Sequence, residues 1–319
     1  IEKSFECVWC FGDSLGNIKS YDTSNYKEVY FSKTYRFFNN LFTWNGGYFR
    51  FLFAEKALIF GDFTSLSTII LVLIRKRLRK KTFLWTHGVY GREGKIKILI
   101  KKAVFKSCEV VFTYNKKSCE LIEDLNINVR AVPIYNSLDN GELPELFKTN
   151  LKSEELNILY LGRITVAKKL HLVVNAAEIL KRQGYKINLR LVGSGEVTKY
   201  IHPYCEEGVY DNQRIKEVFA WSDVVVSPGN IGLLALNSLR HSTPFVTHNN
   251  WRNQMPEFEL MIEGKTGHTF IENDVKDLAR VIENNFLKQK FKTCDLRAAY
   301  LDKWNAKNQI EILKTYLLD

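Results

Sequence analysis

The chain has 319 residues, 45% of them hydrophobic and 25% charged, a balance that excludes disorder and leaves room for two domains, each with its own core. Forty-six lysines and arginines stand against 35 acids, a formal net charge of +11, which fits an anionic membrane surface, a solvated lysine face or nucleic acid. The longest strongly apolar run, 66–74, is interrupted by Ser67 and Thr68 and is too short to span a bilayer.

Taken in order, residues 5–11 read as a buried strand and 12–17 as a loop, while 21–48 is unusually aromatic and resists assignment. A short strand at 57–60 ends at Gly61-Asp62, and 65–78 reads as a helix. A strand at 82–86 stops at His87-Gly88. Residues 95–106 then form a basic helix, with Ile96, Leu99, Ile100, Ala103 and Val104 at helical spacing among Lys95, Lys97, Lys101, Lys102 and Lys106. A strand at 110–114 is followed by Asn115, a suitable cap for a helix through 125, and by a strand at 132–135 closed by Asn136. Residues 141–153 are polar, contain Pro144 and form the best linker.

A second alternating series follows. Strands at 157–161, 187–192, 224–226 and 245–247 alternate with helices at 170–183, 213–221, 231–239 and 275–286, and a last helical segment runs over 296–318. Strands alternating with helices predict two open α/β domains with mostly parallel sheets and right-handed crossovers. Such domains place ligands at the carboxyl ends of their strands. The expected division is an acceptor-side domain over 1–145, a second domain over 154–295, and a C-terminal helix over 296–319 returning to the first domain.

Six cysteines supply no pair of metal-ligand dyads; Cys7-x-x-Cys10 lies in an apolar run and reads as packing. No metal and no tightly held cofactor is expected, and a reducing, cytoplasmic setting fits. No secretory signal is visible, and the chain opens at Ile1 without a methionine, from which a missing N-terminal segment is expected. A second cationic cluster, Arg75, Lys76, Arg77, Arg79, Lys80 and Lys81, precedes the basic helix. That helix reads either as a membrane-surface element or as a solvated lysine face over a core. No nucleic-acid module accompanies the charge, so nucleic acid is not the expected partner.

The centre of the second half is the stretch 222–246. Its β-branched run Val224-Val225-Val226 breaks at Pro228-Gly229-Asn230 and resumes as a helix from Ile231. The glycines let the backbone come close to a ligand, and the first free amides of the helix, at Gly232 and Leu233, form an anion site.

Several motifs in fixed order, Tyr160-Leu161-Gly162-Arg163, Lys168, Leu191-Val192-Gly193-Ser194-Gly195, the stretch 228–244 and Gly264-Lys265-Thr266-Gly267, resemble the donor domain of GT-B glycosyltransferases of family 4 over about 156–282. In the first half, Trp85-Thr86-His87-Gly88 and Ile134-Tyr135-Asn136-Ser137-Leu138-Asp139 are similar to members that build bacterial capsule or O-antigen.

The resemblance implies a GT-B fold, two Rossmann-like domains facing each other across a cleft, and a retaining, metal-independent hexosyltransferase. The donor would be a UDP- or GDP-sugar, and the acceptor a glycan, lipid-linked, at the inner face of the cell membrane. Arg163 and Lys168 would neutralise the leaving diphosphate, with Lys169 an adjacent alternative to Lys168. Gly162, Gly193, Gly195, Asn230, Gly232, Leu233, Asn237 and Glu259 would line the donor site. His87 would contact the donor sugar or orient the acceptor from the other domain; His248 and His171 are weaker candidates.

Two departures stand out. Members of this family carry glutamates at the positions held here by Gly229 and Asn237. An amide at 237 keeps the capacity to hydrogen-bond a ribose, but Gly229 has no side chain. Glu257 and Glu259 are the nearest acids, and counting back from Gly264 favours Glu259. The opening strand and glycine loop of such a domain are also missing ahead of residue 5, so the acceptor side is expected to be truncated. A weakened partner subunit and a nucleotide-sugar epimerase of the same fold are the rival readings.

Overall fold

The structure is a computed structural model that describes residues 5–12, 26–39, 41–138, 155–195, 200–207, 211–289, 291 and 296–318. The loop read at 12–17 beyond Gly12, the linker at 141–153, Asp139 and Cys294 lie outside them. The chain divides into two compact units, one formed by Ile1–Ile134 with Lys307–Asp319 and the other by Tyr135–Ala306.

In the first unit, strands β1 (Trp9–Gly12) and β2 (Val29–Ser32) pair in parallel, and β3 (Thr34–Phe37) pairs antiparallel with β4 (Phe42–Asn45). The aromatic stretch that the sequence left unassigned therefore supplies three short strands. β1 is half-buried along its length, not buried as its apolar pattern predicts, because its sheet has only two strands. The main sheet is all parallel and ordered as in the sequence: β5 (Lys56–Phe60), β6 (Lys81–Thr86), β7 (Val110–Thr113) and β8 (Arg130–Pro133).

The connecting helices are α1 (Leu66–Arg77), α2 (Lys95–Phe105) and α3 (Lys116–Glu123). Their starts follow the expected chemistry. The Ser65 hydroxyl accepts from the Thr68 amide, and the Asn115 side chain accepts from the Ser118 amide at 2.9 Å.

The cationic clusters are not uniformly solvated. Arg75 is fully buried, and its guanidinium donates to the carbonyls of Phe51, Leu52, Ala54 and Lys81 and to the Thr82 hydroxyl. Buried charge persists only when its hydrogen-bonding capacity is met, so Arg75 is a structural tie between a loop and the sheet. Lys101 of α2 likewise turns inward to an ion pair with Glu93 at 2.6 Å and to the Gly88 carbonyl. The rest of α2 presents Lys95, Ile96, Lys97 and Leu99 outward, with Ile96 78% and Leu99 68% exposed.

The second unit is a six-stranded parallel sheet built from β9 (Glu155–Leu161), β10 (Lys186–Val192), β11 (Cys205–Glu206), β12 (Val224–Ser227), β13 (Phe245–His248) and β14 (Gly267–Phe270), in the order β11-β10-β9-β12-β13-β14. Helices α4 (His171–Arg182), α5 (Asn212–Trp221), α6 (Leu233–Arg240) and α7 (Val275–Ile282) connect the strands. β9 and β12 are covered on both faces and are almost entirely buried, as their continuous apolar runs require in a parallel sheet.

From β9 the chain moves outward to β10 on one side, then returns to start β12 on the other. The strand order therefore reverses between β9 and β12, the place at which open α/β sheets bind ligands outside the carboxyl ends of their strands.

The last segment is two helices, not the continuous one its periodicity predicts. α8 (Leu296–Lys303) packs Leu296, Tyr300 and Trp304 into the core of the second unit. α9 (Ala306–Leu317) buries Leu313 with Phe83, Val110, Phe112 and Ile134 of the first. No helix among the described residues is long and apolar enough to cross a membrane.

Candidate functional site

The loop after β9 and the loop after β12 meet at the reversal point. Gly162 continues the strand by donating its amide to Val192 O, and Ile164 donates to Ser194 O at 2.9 Å. Gly195 completes this bridge: a Cβ there would lie 2.0 Å from Ile164 O, so only glycine lets the two backbones touch. The Gly193-Ser194-Gly195 motif thus props up the loop carrying Arg163 and Lys168. The Tyr160 hydroxyl donates to Arg163 O at 2.8 Å, holding the start of that loop over its own strand.

A single turn of 3-10 helix, Val166–Lys168, follows. It lies directly on the β12–α6 loop: a Cβ on Gly229 would fall 2.3 Å from Ala167 O and 2.7 Å from Lys168 Cα. Lys168 Nζ donates to both Asn230 O and Asn230 Oδ1, each at 2.7 Å. Burial, and then the charge of Arg163, push the Lys168 ammonium below its usual range, while Glu257 acts in the opposite direction. Arg163 is exposed beside it. Two neighbouring cations without a full counter-charge are suited to bind an anion.

The α6 N-terminus completes the same face. Its N-cap is Gly232, no side chain caps it, and Leu233, its first residue, is 44% exposed, so the first amides of the helix remain for a ligand. The preceding loop is braced from below by Gln254. Its Oε1 accepts from the Ile231 amide at 2.7 Å, and its Nε2 donates to Thr247 Oγ1 and His248 O. Asn237, one turn into α6, keeps a buried Oδ1 with no partner.

Lys169 does not share the site. Its left-handed backbone, φ 52°, turns the side chain away to Glu272 Oε1 at 2.9 Å and Asn273 Oδ1 at 2.8 Å. Burial pushes the Glu272 carboxyl up, but hydrogen bonds from Lys169, Asn250 and Asn253 prevail and hold it down at about 2.

Of the two acids near this loop, Glu259 is exposed, whereas Glu257 is only 2% exposed. Glu257 Oε1 accepts from Asn136 Nδ2 at 2.7 Å; Oε2 is buried without a partner, 4.0 Å from where a Cβ on Gly232 would stand. Burial raises its pKa, against the opposing influence of Asn136 and Lys168. The short 3-10 stretch Pro256–Leu260 sets this orientation, with the proline at its start and Pro256, Glu257 and Leu260 turned inward. Gln254, Glu257 and Asn136 carry no metal or nucleophile signature, so only the folded chain reveals their convergence. The Met255-Pro256-Glu257 triplet is the signal a pattern search could have used.

His87 directly follows β6 in the first unit, half-buried against Tyr114, whose ring centre is 4.7 Å away, and Tyr90 at 6.0 Å. Its Nδ1 is buried without a partner. Burial, and then the Lys101 charge, lower its pKa, so the ring is neutral near pH 7. His248 is buried at the end of β13, and His171 is exposed at the start of α4.

Residues 142–300 match the family model described as Glycosyl transferases group 1. An uncharacterized 41.2 kDa protein in the cps region of Klebsiella pneumoniae is 24% identical over 239 residues, 70% of this chain, and the match spans 62% of that relative's length. Among solved structures, the lipopolysaccharide outer core galactosyltransferase WaaB has a TM-score of 0.66 at 10% identity, covering 93% of this chain and 86% of its own. Anabaena HepE in complex with UDP and glucose has a TM-score of 0.63 at 13% identity, covering 92% and 86%. From the reversal of strand order and these neighbours, it follows that the chain has the GT-B fold, two Rossmann-like α/β units, with residues 142–300 similar to the Glycosyl transferases group 1 domain.

Proposed function

We propose that this protein is a retaining glycosyltransferase that moves a hexose or N-acetylhexosamine from a nucleotide sugar to a lipid-linked glycan in surface polysaccharide synthesis. The observation that carries the reading is the convergence of Arg163 and Lys168 with the uncapped α6 N-terminus across one backbone contact at Gly229. Sugar transfer requires charge to be neutralised on the departing diphosphate, and two cations beside free helix amides are suited to do this. Lys168 would then exchange its Asn230 contacts for phosphate oxygens. Because HepE is seen with UDP and with UDP-glucose, UDP-glucose is the first donor to try and a GDP-sugar the second.

In this reading divalent metal is dispensable and His87 serves the acceptor side. The outward lysines and apolar residues of α2 hold the protein at an anionic membrane on the inner face. The test is thermal stabilisation by UDP, GDP and their sugar conjugates; a ligand at one hundred times its Kd adds about 2.7 kcal/mol. Arg163→Ala and Lys168→Ala should each weaken nucleotide binding by about 10–100-fold, the loss of one charge-assisted contact. Unchanged affinity in both variants would remove the diphosphate clamp.

Gly229 favours one second reading, a glycosyltransferase-like subunit without turnover, because the backbone there leaves no room for an acidic side chain. Product analysis of the anomeric linkage with purified protein separates the two: saturable donor binding with no transfer to any acceptor supports the subunit.

A further inference from the structure

We propose that Glu257 is the donor-specificity residue of this site, its free carboxylate oxygen accepting a hydrogen bond from a hydroxyl of the transferred sugar. The inference rests on the nucleotide-sugar reading above and goes beyond it by assigning the sugar contact to a residue outside the β12–α6 loop.

Three observations converge. Glu257 is only 2% exposed, and one of its oxygens accepts from Asn136 while the other, also buried, has no partner. A buried polar atom without a partner is costly and rare in a folded protein unless a ligand completes it. That free oxygen stands beside the N-cap of α6, 4.0 Å from the Cβ position of Gly232, and within the electrostatic reach of Lys168. It therefore lies next to the backbone at which α6 begins.

The chemistry then selects the ligand group. A carboxylate oxygen accepts and does not donate, and the oxygens of a diphosphate ester also only accept, so the diphosphate cannot satisfy Glu257. The sugar attached to it supplies O–H donors a few bonds beyond the bridging oxygen. Position 229 is excluded as a source of the contact, because any Cβ there meets the backbone of Ala167 and Lys168. Asn136 Nδ2 fixes the carboxylate plane, leaving one oxygen presented, as preorganised specificity requires.

The experiment is calorimetric titration of wild type, Glu257→Gln and Glu257→Asp with UDP, UDP-glucose, GDP and GDP-mannose. Glu257→Gln keeps an acceptor for Asn136 but replaces the free oxygen with a donor amide. The expected result is a nucleotide affinity within about threefold of wild type and a loss of about tenfold for the nucleotide sugar, an effect of one hydrogen bond to a charged group. Wild-type protein titrated with donors lacking one sugar hydroxyl at a time should lose the same advantage for a single one of them, a measurement that does not depend on how the variants fold. Equal losses for nucleotide and nucleotide sugar, or full affinity for every deoxy donor, would overturn the assignment while leaving the diphosphate site intact. Absence of binding by wild type to all four ligands would overturn the nucleotide-sugar reading itself, and this assignment with it.

Discussion

Gly229 lies so close to Lys168 that a Cβ on the glycine would sit 2.7 Å from the lysine Cα. The contact is backbone to backbone, so no rotamer change relieves it, and it seats the Lys168 ammonium on Asn230. The missing acid at this position is therefore a consequence of how the two loops meet. Gly229→Ala should cost about 1–3 kcal/mol by overpacking, a drop of roughly 2–4 °C in melting temperature per kcal/mol for a unit of this size. It should also weaken UDP binding. A thermal melt with and without UDP reads both, and an undisturbed melt would show that the loops separate easily.

Burial raises the Glu257 pKa, so the sign of its contribution is set. A carboxyl whose folded pKa lies above its unfolded value stabilises the fold in the protonated state, fully below the unfolded pKa near 4.5, and that contribution is lost as pH rises through the folded pKa. The melting-temperature difference between Glu257→Gln and wild type should therefore grow in favour of the variant as pH rises above 4.5. A difference moving the other way would mean that the carboxylate is stabilised as an anion, chiefly by Lys168 and Asn136.

The opposite sign holds for Glu272, held at about 2, well below the ordinary 4.5. Its contribution is present above about 4.5 and disappears as pH falls toward 2. Glu272→Gln should be less stable than wild type by about 1 kcal/mol at pH 7, a network discounted for solvent screening, and the deficit should narrow at pH 3. Urea unfolding at the two pH values checks it; a deficit independent of pH would assign the effect to packing.

Helix α2 gives a prediction for membranes. Lys95, Lys97 and Lys106 are exposed alongside Ile96 and Leu99, and each lysine near an anionic leaflet contributes about 1 kcal/mol. Replacing the three with glutamine should lower partitioning to phosphatidylglycerol vesicles by about 100-fold and leave neutral phosphatidylcholine vesicles unaffected. Cosedimentation measures both. Lys101 is excluded from the set because it is buried against Glu93, and its removal would disturb the His87 loop.

Periodicity and end signals made the βα series legible in the sequence, because a buried parallel strand needs an unbroken apolar run and a helix start needs a cap such as Ser65 or Asn115. The strands β2 to β4 were not legible: each has four residues, too few for a pattern to repeat, and their aromatic side chains suit any surface that covers them. The break between α8 and α9 escaped for a related reason, since both helices bury apolar residues at the same spacing but in different units.

For the site, the residues themselves determined that two cations and a glycine-opened helix follow two strands, since residue type and order are local facts. Which lysine faces the ligand, which acid is buried, and why position 229 is glycine were decided only by the fold. Lys168 and Lys169 differ in sequence by one position but in direction by a left-handed turn. Glu257 and Glu259 differ by which side of a 3-10 turn meets Asn136. Such choices depend on contacts between segments 60 to 120 residues apart, distances over which a linear pattern holds no information about direction.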